Sequence, residues 1–170
     1  MKKRSAPRRL PLLEAALKMR ADQGLCMHRS AAFVFDVPGA ILVFGTIQPK
    51  ERSELLEGDS EVPFIHCWAE YRGNVVAPTT IEQANGQLVA QNKAGYYAIN
   101  GISDVHTLTR PALLALDRLH GFRRALRLNT DLRTGASFGA TLLEAAGVAW
   151  KDYGDGGVVP PYVESMKKSA

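Results

Sequence analysis

At 170 residues the chain has the length of one domain, and an apolar share of 46% with a charged share of 22% describes a globular protein with a single core. The formal charge of +4 is uneven, because Lys2, Lys3, Arg4, Arg8 and Arg9 precede any acid and leave 16 basic against 17 acidic residues in the rest. Composition thus excludes disordered, fibrous and disulfide-scaffold classes, and two cysteines, Cys26 and Cys67, with no Cys/His quartet give no metal-ligand spacing and no expected cofactor.

In chain order, residues 1–9 read as a basic flexible tail, 10–151 as one catalytic-type domain and 152–170 as an irregular tail carrying glycines and the pair Pro160-Pro161. The charged opening is followed by no apolar signal core, since Pro11 and Glu14 break it, and no apolar run approaches a membrane span. A cytoplasmic location without membrane contact is the expectation.

Leu10, Leu12, Leu13, Ala16, Leu17 and Arg20 recur at intervals of three and four and predict an amphipathic helix ending near Gly24. A second helix runs from Cys26 to Phe35 and is stopped by Asp36, Pro38 and Gly39. Ala40 to Gln48 reads as a buried strand, and Lys50 to Glu61 as a polar loop. Phe64 to Tyr71 and Val75 to Ala77, joined at Arg72-Gly73-Asn74, form a hairpin that Pro78 ends. The run from Tyr96 to Ile99 reads as one more short strand. Pro111 after Thr109 opens a helix that Gly121 stops, and a last helix covers Ala140 to Ala146, so the C-terminal third is expected to be helical.

Cys26 opens the second helix, where unpaired amides and the positive end of the helix dipole favour a thiolate. The imidazole to pair with it is His66, which shares a strand face with Trp68 and Glu70, while Cys67 points the other way into the core. A strand carries a base rigidly, as proton transfer from a sulfur needs.

Gly24-Leu25-Cys26, Arg29-Ser30-Ala31, the strand Ala40 to Thr46, His66-x-Trp68-x-Glu70 and Gly73 to Thr79 come in an order that resembles transglutaminase-like cysteine proteases of the papain-like superfamily. The bacterial enzymes that remove leader peptides from lasso-peptide precursors are the nearest in pattern. The resemblance spans Ala21 to Ile99 and implies an α+β fold, with a Cys-bearing N-terminal helix packed on a small antiparallel sheet. It also implies a cysteine peptidase or amidase acting on a peptide or protein, with Cys26 as nucleophile and His66 as base. The family places an orienting aspartate just before the Pro-Thr pair, where this chain has Ala77. Loss of such a carboxylate lowers turnover by orders of magnitude in serine proteases. Either Asn74, Glu70 or Thr79 takes the orienting role, or the site is weakened and the fold serves as a protein- or nucleic-acid-binding module. Gln23, upstream of the cysteine, is the candidate oxyanion donor. Trp68 and Tyr97 are the candidate substrate walls.

Arg118, Arg123, Arg124, Arg127 and Arg133 lie close together with only Asp117 and Asp131 for balance. With the basic tail they form a candidate surface for an anionic partner. A solvated helix face is the plainer reading.

Overall fold

The computed structural model describes residues 10–17, 26–48, 64–77, 89–128 and 132–148. The polar loop, both tails, Gln23 and Thr79 fall outside them, as do the side chains of Ala77 and Arg133.

The chain is α+β. Helices α1 (Pro11–Leu17) and α2 (Cys26–Asp36) come first, then strands β1 (Ile41–Ile47), β2 (Phe64–Tyr71), β3 (Asn74–Ala77) and β4 (Val89–Asn92). Helix α3 (Lys93–Asn100), strand β5 (Ile102–Thr109) and helices α4 (Arg110–His120), α5 (Phe122–Leu128) and α6 (Leu132–Ala145) follow. The strands form one five-stranded antiparallel sheet in the order β4-β3-β2-β1-β5.

Strand β1 lies inside the sheet, and its run Leu42-Val43-Phe44 is almost wholly buried, which is why it is apolar on both faces. In the β2–β3 hairpin, Arg72 (φ 50°) and Gly73 (φ 77°) both take the left-handed conformation that a two-residue turn of this hand demands. Alternation divides the core in two. Leu42, Phe44, Cys67, Ala69, Val76 and Leu108 meet helices α1, α2, α4, α5 and α6, whereas Val43, Trp68 and Val75 meet Tyr96 of α3 on the opposite face.

Tyr96 and Tyr97, expected on a strand, are helical. Asn92 caps α3 by accepting from the Gly95 amide at 3.3 Å, and Gly101 ends it at φ 56°, so the two residues bracket a short helix in which aromatic content counts for little. Strands β4 and β5 lie at the two sheet edges. The stretch Ile102–Thr109, which directly precedes the expected helical third, is a strand and is largely exposed, so it lacks the apolar alternation that marks a covered strand. The β1–β5 register shifts between Phe44 and Thr46, and Asp104 on β5 has φ 48°, the geometry of a β-bulge.

At the helical end, Thr109 accepts from the Ala112 amide with Pro111 in the first turn, and Gly121 closes α4 at φ 69°, both as the sequence predicts. Helix α6 is longer than the expected Ala140 to Ala146 and starts at Leu132.

Candidate functional site

Helix α2 presents its first residue, Cys26, to β2. Ser30, one turn later, donates its hydroxyl to the Cys67 carbonyl at 3.4 Å, and the backbone of Cys67 also supplies a hydrogen bond that favours the Cys26 thiolate. Strand β3 pairs with β2 from Ala69 to Tyr71, so the Cys67 peptide lies beyond that pairing and is engaged by α2. Cys26 thus abuts the backbone of the residue that follows His66.

Burial pushes the Cys26 thiol above its ordinary range; the Cys67, Met27 and Cys26 backbone and the Arg29 guanidinium act against it without prevailing. Arg29 is itself buried and its charge faces Cys26. Cys67 is buried in the helix-side core, as expected of it, and desolvation likewise raises its thiol, with the charge of Cys26 adding to the effect.

His66 leaves β2 on the other face, where its ring stacks on Trp68 with centroids 6.1 Å apart. Desolvation lowers it to about 4, so the imidazole is neutral through the physiological range. A resting thiolate–imidazolium pair is therefore disfavoured from both sides: the sulfur holds its proton and the ring lacks one.

The other expected site residues resolve differently. Trp68 is completely buried, so it is a core wall and touches no substrate in this conformation. Its indole donates to Glu70 Oε1 at 3.2 Å, the Tyr97 hydroxyl donates to the same oxygen at 2.7 Å, and Lys93 Nζ binds Glu70 Oε2 at 2.7 Å. Glu70 is thereby committed to a network joining β2 to α3. Asn74 donates its amide to the Arg72 carbonyl at 3.3 Å, which ties its side chain to the hairpin turn. Tyr97 remains half-buried, with Lys93 Nζ 5.1 Å from its ring centre.

Sequence reasoning passed over Arg29 and the hydroxyl of Tyr96. Tyr96 is buried against Trp68, ring centroids 5.8 Å apart, and its hydroxyl has no hydrogen-bond partner among the described residues. The signal that would have placed it on this face is the Asn92–Gly101 bracket, because a helix there lays Tyr96 on the sheet.

The arginine cluster divides. Arg123 forms an ion pair through Nε with buried Asp117, which also accepts from the Arg123 amide at 2.8 Å, so this guanidinium is partly committed within the fold. Arg118, Arg124 and Arg127 are exposed. Among the described residues no group of His, Cys, Asp and Glu is arranged to hold a metal, and no helix is long and apolar enough to cross a membrane.

Comparison of the chain with family models, with curated proteins and with solved structures returns no match.

Proposed function

We propose that the chain is a cysteine-dependent acyl-transfer protein of transglutaminase-like plan, a peptidase or amidase in which Cys26 attacks a peptide carbonyl and His66 takes the thiol proton. The observation that carries this reading is the position of Cys26: a thiol at the mouth of α2, bonded to the backbone of Cys67, the residue that follows His66 on β2, so that the His66 ring, which leaves the strand on the Trp68 face, has to reach the sulfur around the strand. As the sulfur–carbon bond forms, the carbonyl electron pair moves onto oxygen. Collapse then expels the amine, which carries away the proton held by His66, and water attacks the thioester by the reverse sequence. His66 is unprotonated above about pH 4, so its ring is open to a proton at neutral pH, but burial makes it a weaker base than a free imidazole and the transfer from the raised Cys26 thiol must be coupled to attack. The raised thiol means that Cys26 is activated by proton transfer during attack and not by standing ionisation.

Alkylation of the intact chain by iodoacetamide, followed at the Cys26 peptide by mass spectrometry, tests the pairing. At pH 7 the wild type should react about tenfold faster than His66→Ala, a modest share of what a positioned base contributes. Equal rates would retire His66 as the base.

A second reading has its own support. Position 77 is alanine where the resembled family has its orienting aspartate, and the Glu70 carboxylate is bonded to Trp68, Tyr97 and Lys93. On this reading the fold is a weakened or inactive relative that binds a protein or a nucleic acid. Hydrolysis of a p-nitrophenyl ester separates the two: turnover lost in Cys26→Ala favours the enzyme, and turnover equal in both proteins favours the binding module.

A further inference from the structure

Strand β5 changes phase at its bulge. Leu108 packs in the helix-side core and Ile102 packs with Trp68 on the opposite face, although regular alternation would keep these two residues on one side. The extra residue lies opposite Gly45, between the pairs Phe44–His106 and Thr46–Ser103, and Asp104 takes it up at φ 48°. Glycine is the usual occupant of such a left-handed position, and aspartate is one of the few side chains that tolerate it. Glycine would serve the backbone at least as well, so the backbone alone does not account for a carboxylate there.

The bulge borders a cavity of about 480 Å³ whose apolar wall is Phe44, Ile65 and Val148 and whose polar groups are Thr46, Asp104 and His106. That volume and that mixture, mostly apolar with a few polar groups, are those of a small-ligand pocket. One wall is held by the end of α6: Gly147 closes the helix at φ 76°, the Val148 amide donates to the Leu143 carbonyl at 3.0 Å, and the Ala146 carbonyl accepts from His106 Nδ1 at 3.2 Å. A carbonyl can only accept, so Nδ1 carries the hydrogen, and in the neutral ring Nε2 is then the acceptor. Each polar side chain of the cavity therefore offers a lone pair: the Asp104 carboxylate, the Thr46 hydroxyl and His106 Nε2. Asp104 is the one charged side chain among the described lining residues, and the negative end of the α6 dipole meets the cavity at Ala146.

Three acceptors, one of them anionic, match the three N–H donors of a primary ammonium, and the apolar wall matches an aliphatic stem behind it. An exposed carboxylate by itself holds a cation weakly, because water screens the pair. The two further acceptors and the contact with the stem are what lift this site above that level. We infer that the cavity is a binding site for a primary ammonium group on an aliphatic stem, carried either by a free alkylamine or by a lysine side chain of a peptide. It lies over β1 and β5, its described lining residues include neither Cys26 nor His66, and it does not rest on the acyl-transfer reading.

The test is calorimetric titration of the intact chain at pH 7 with n-pentylammonium chloride. One saturable site with a dissociation constant on the order of 1 mM is expected, as suits so small a ligand, and 1-pentanol, which has the stem without the charge, should bind at least about tenfold more weakly. Asp104→Asn keeps a side chain that the left-handed position tolerates and should weaken pentylammonium about tenfold. Thr46→Val keeps the branched bulk of a strand residue, loses one acceptor and should weaken it about threefold, so the inference remains testable if Asp104→Asn fails to fold. Glu144→Gln removes an exposed carboxylate near the end of α6 but outside the cavity and should leave the affinity in place. The inference is overturned if pentylammonium shows no saturation below about 50 mM, if pentanol binds as tightly, or if Glu144→Gln weakens binding as much as Asp104→Asn, which would mark diffuse attraction between charges. Nα-acetyl-lysine methylamide separates the two sources: binding as tight as that of pentylammonium assigns the site to a lysine side chain of a peptide, binding lost assigns it to a free alkylamine, and the site stands in either case.

Discussion

Gly45 is opposite His66 in the β1–β2 register, and a β-carbon built there would stand 2.6 Å from Trp68 Cη2 and 3.2 Å from Ile102 Cγ2. The missing side chain is what lets the indole lie against β1 and reach Glu70 and Tyr96 from there. Gly45→Ala should cost about 1–3 kcal/mol, the usual penalty for overpacking, because Trp68 is fully enclosed and has nowhere to retreat. Urea unfolding of the two proteins measures this, and an unchanged midpoint would mean that the indole moves freely. The shared face of His66, Trp68 and Glu70 was legible from alternation alone, since a strand offers no other arrangement. What Glu70 does on that face was not legible, because its partners Lys93 and Tyr97 lie more than twenty residues on and reach it only through the placement of α3.

At the scale of elements, α2 is the piece from which the site is hung, and its C-terminal end is tied twice. Its last residue, Asp36, accepts from the Leu12 and Leu13 amides at 3.0 and 3.2 Å, so a side chain from one helix caps the start of another. Arg110 donates from Nε and Nη2 to the Phe35 carbonyl at 3.2 and 3.0 Å, which places a guanidinium at the negative end of α2. Asp36→Ala should destabilise the protein by about 1 kcal/mol, within the range for a lost helix cap, and Asp36→Asn, which keeps an acceptor, by much less. Thermal melting of the pair checks the ordering, and equal losses would mean that the negative charge, more than the cap, is what α1 requires. The same scale explains which elements could be read in advance. Helix α2 and the β2–β3 hairpin carry strong periodicity, and β1 a continuous apolar run, because each buries most of its length. Strands β4 and β5 could not be read, since an edge strand that buries little has no pattern to show, and α3 was mistaken for a strand because eight residues are too few for a helical period to outvote two tyrosines.

For the whole molecule, two half-buried imidazoles, His66 and His28, lie on opposite faces of the sheet, and both are held neutral by the fold. His66 stacks on Trp68 on the α3 face. His28 stacks on Phe138 with ring centroids 4.8 Å apart, and Phe138 belongs to the core on the helix-covered face. Burial lowers each ring from its ordinary value to about 4, with the Arg29 charge adding to the effect at His28. The sign of the consequence follows from proton counting. Unfolded, both rings take up a proton as the pH falls through about 6.5, whereas the folded chain binds none until about 4, so the unfolded state gains protons throughout that window and stability declines with acidification. The histidine contribution is whole above about pH 6.5 and gone below about 4. Each unit of depression is worth about 1.4 kcal/mol, and with a discount for the partial exposure of both rings the loss between pH 7 and pH 4 should be of the order of 3 kcal/mol. Urea midpoints at pH 7, 5.5 and 4 would show it as a steady fall, and His28→Leu, which keeps an apolar contact on Phe138 but cannot titrate, should flatten the slope by about half. A slope identical in His28→Leu and wild type would mean that the acid sensitivity arises elsewhere and that the ring at position 28 is charged or solvated in the folded protein. If the slope divides as expected, the part that survives in His28→Leu belongs to His66, and it measures how strongly the sheet keeps that imidazole in the unprotonated form a base requires.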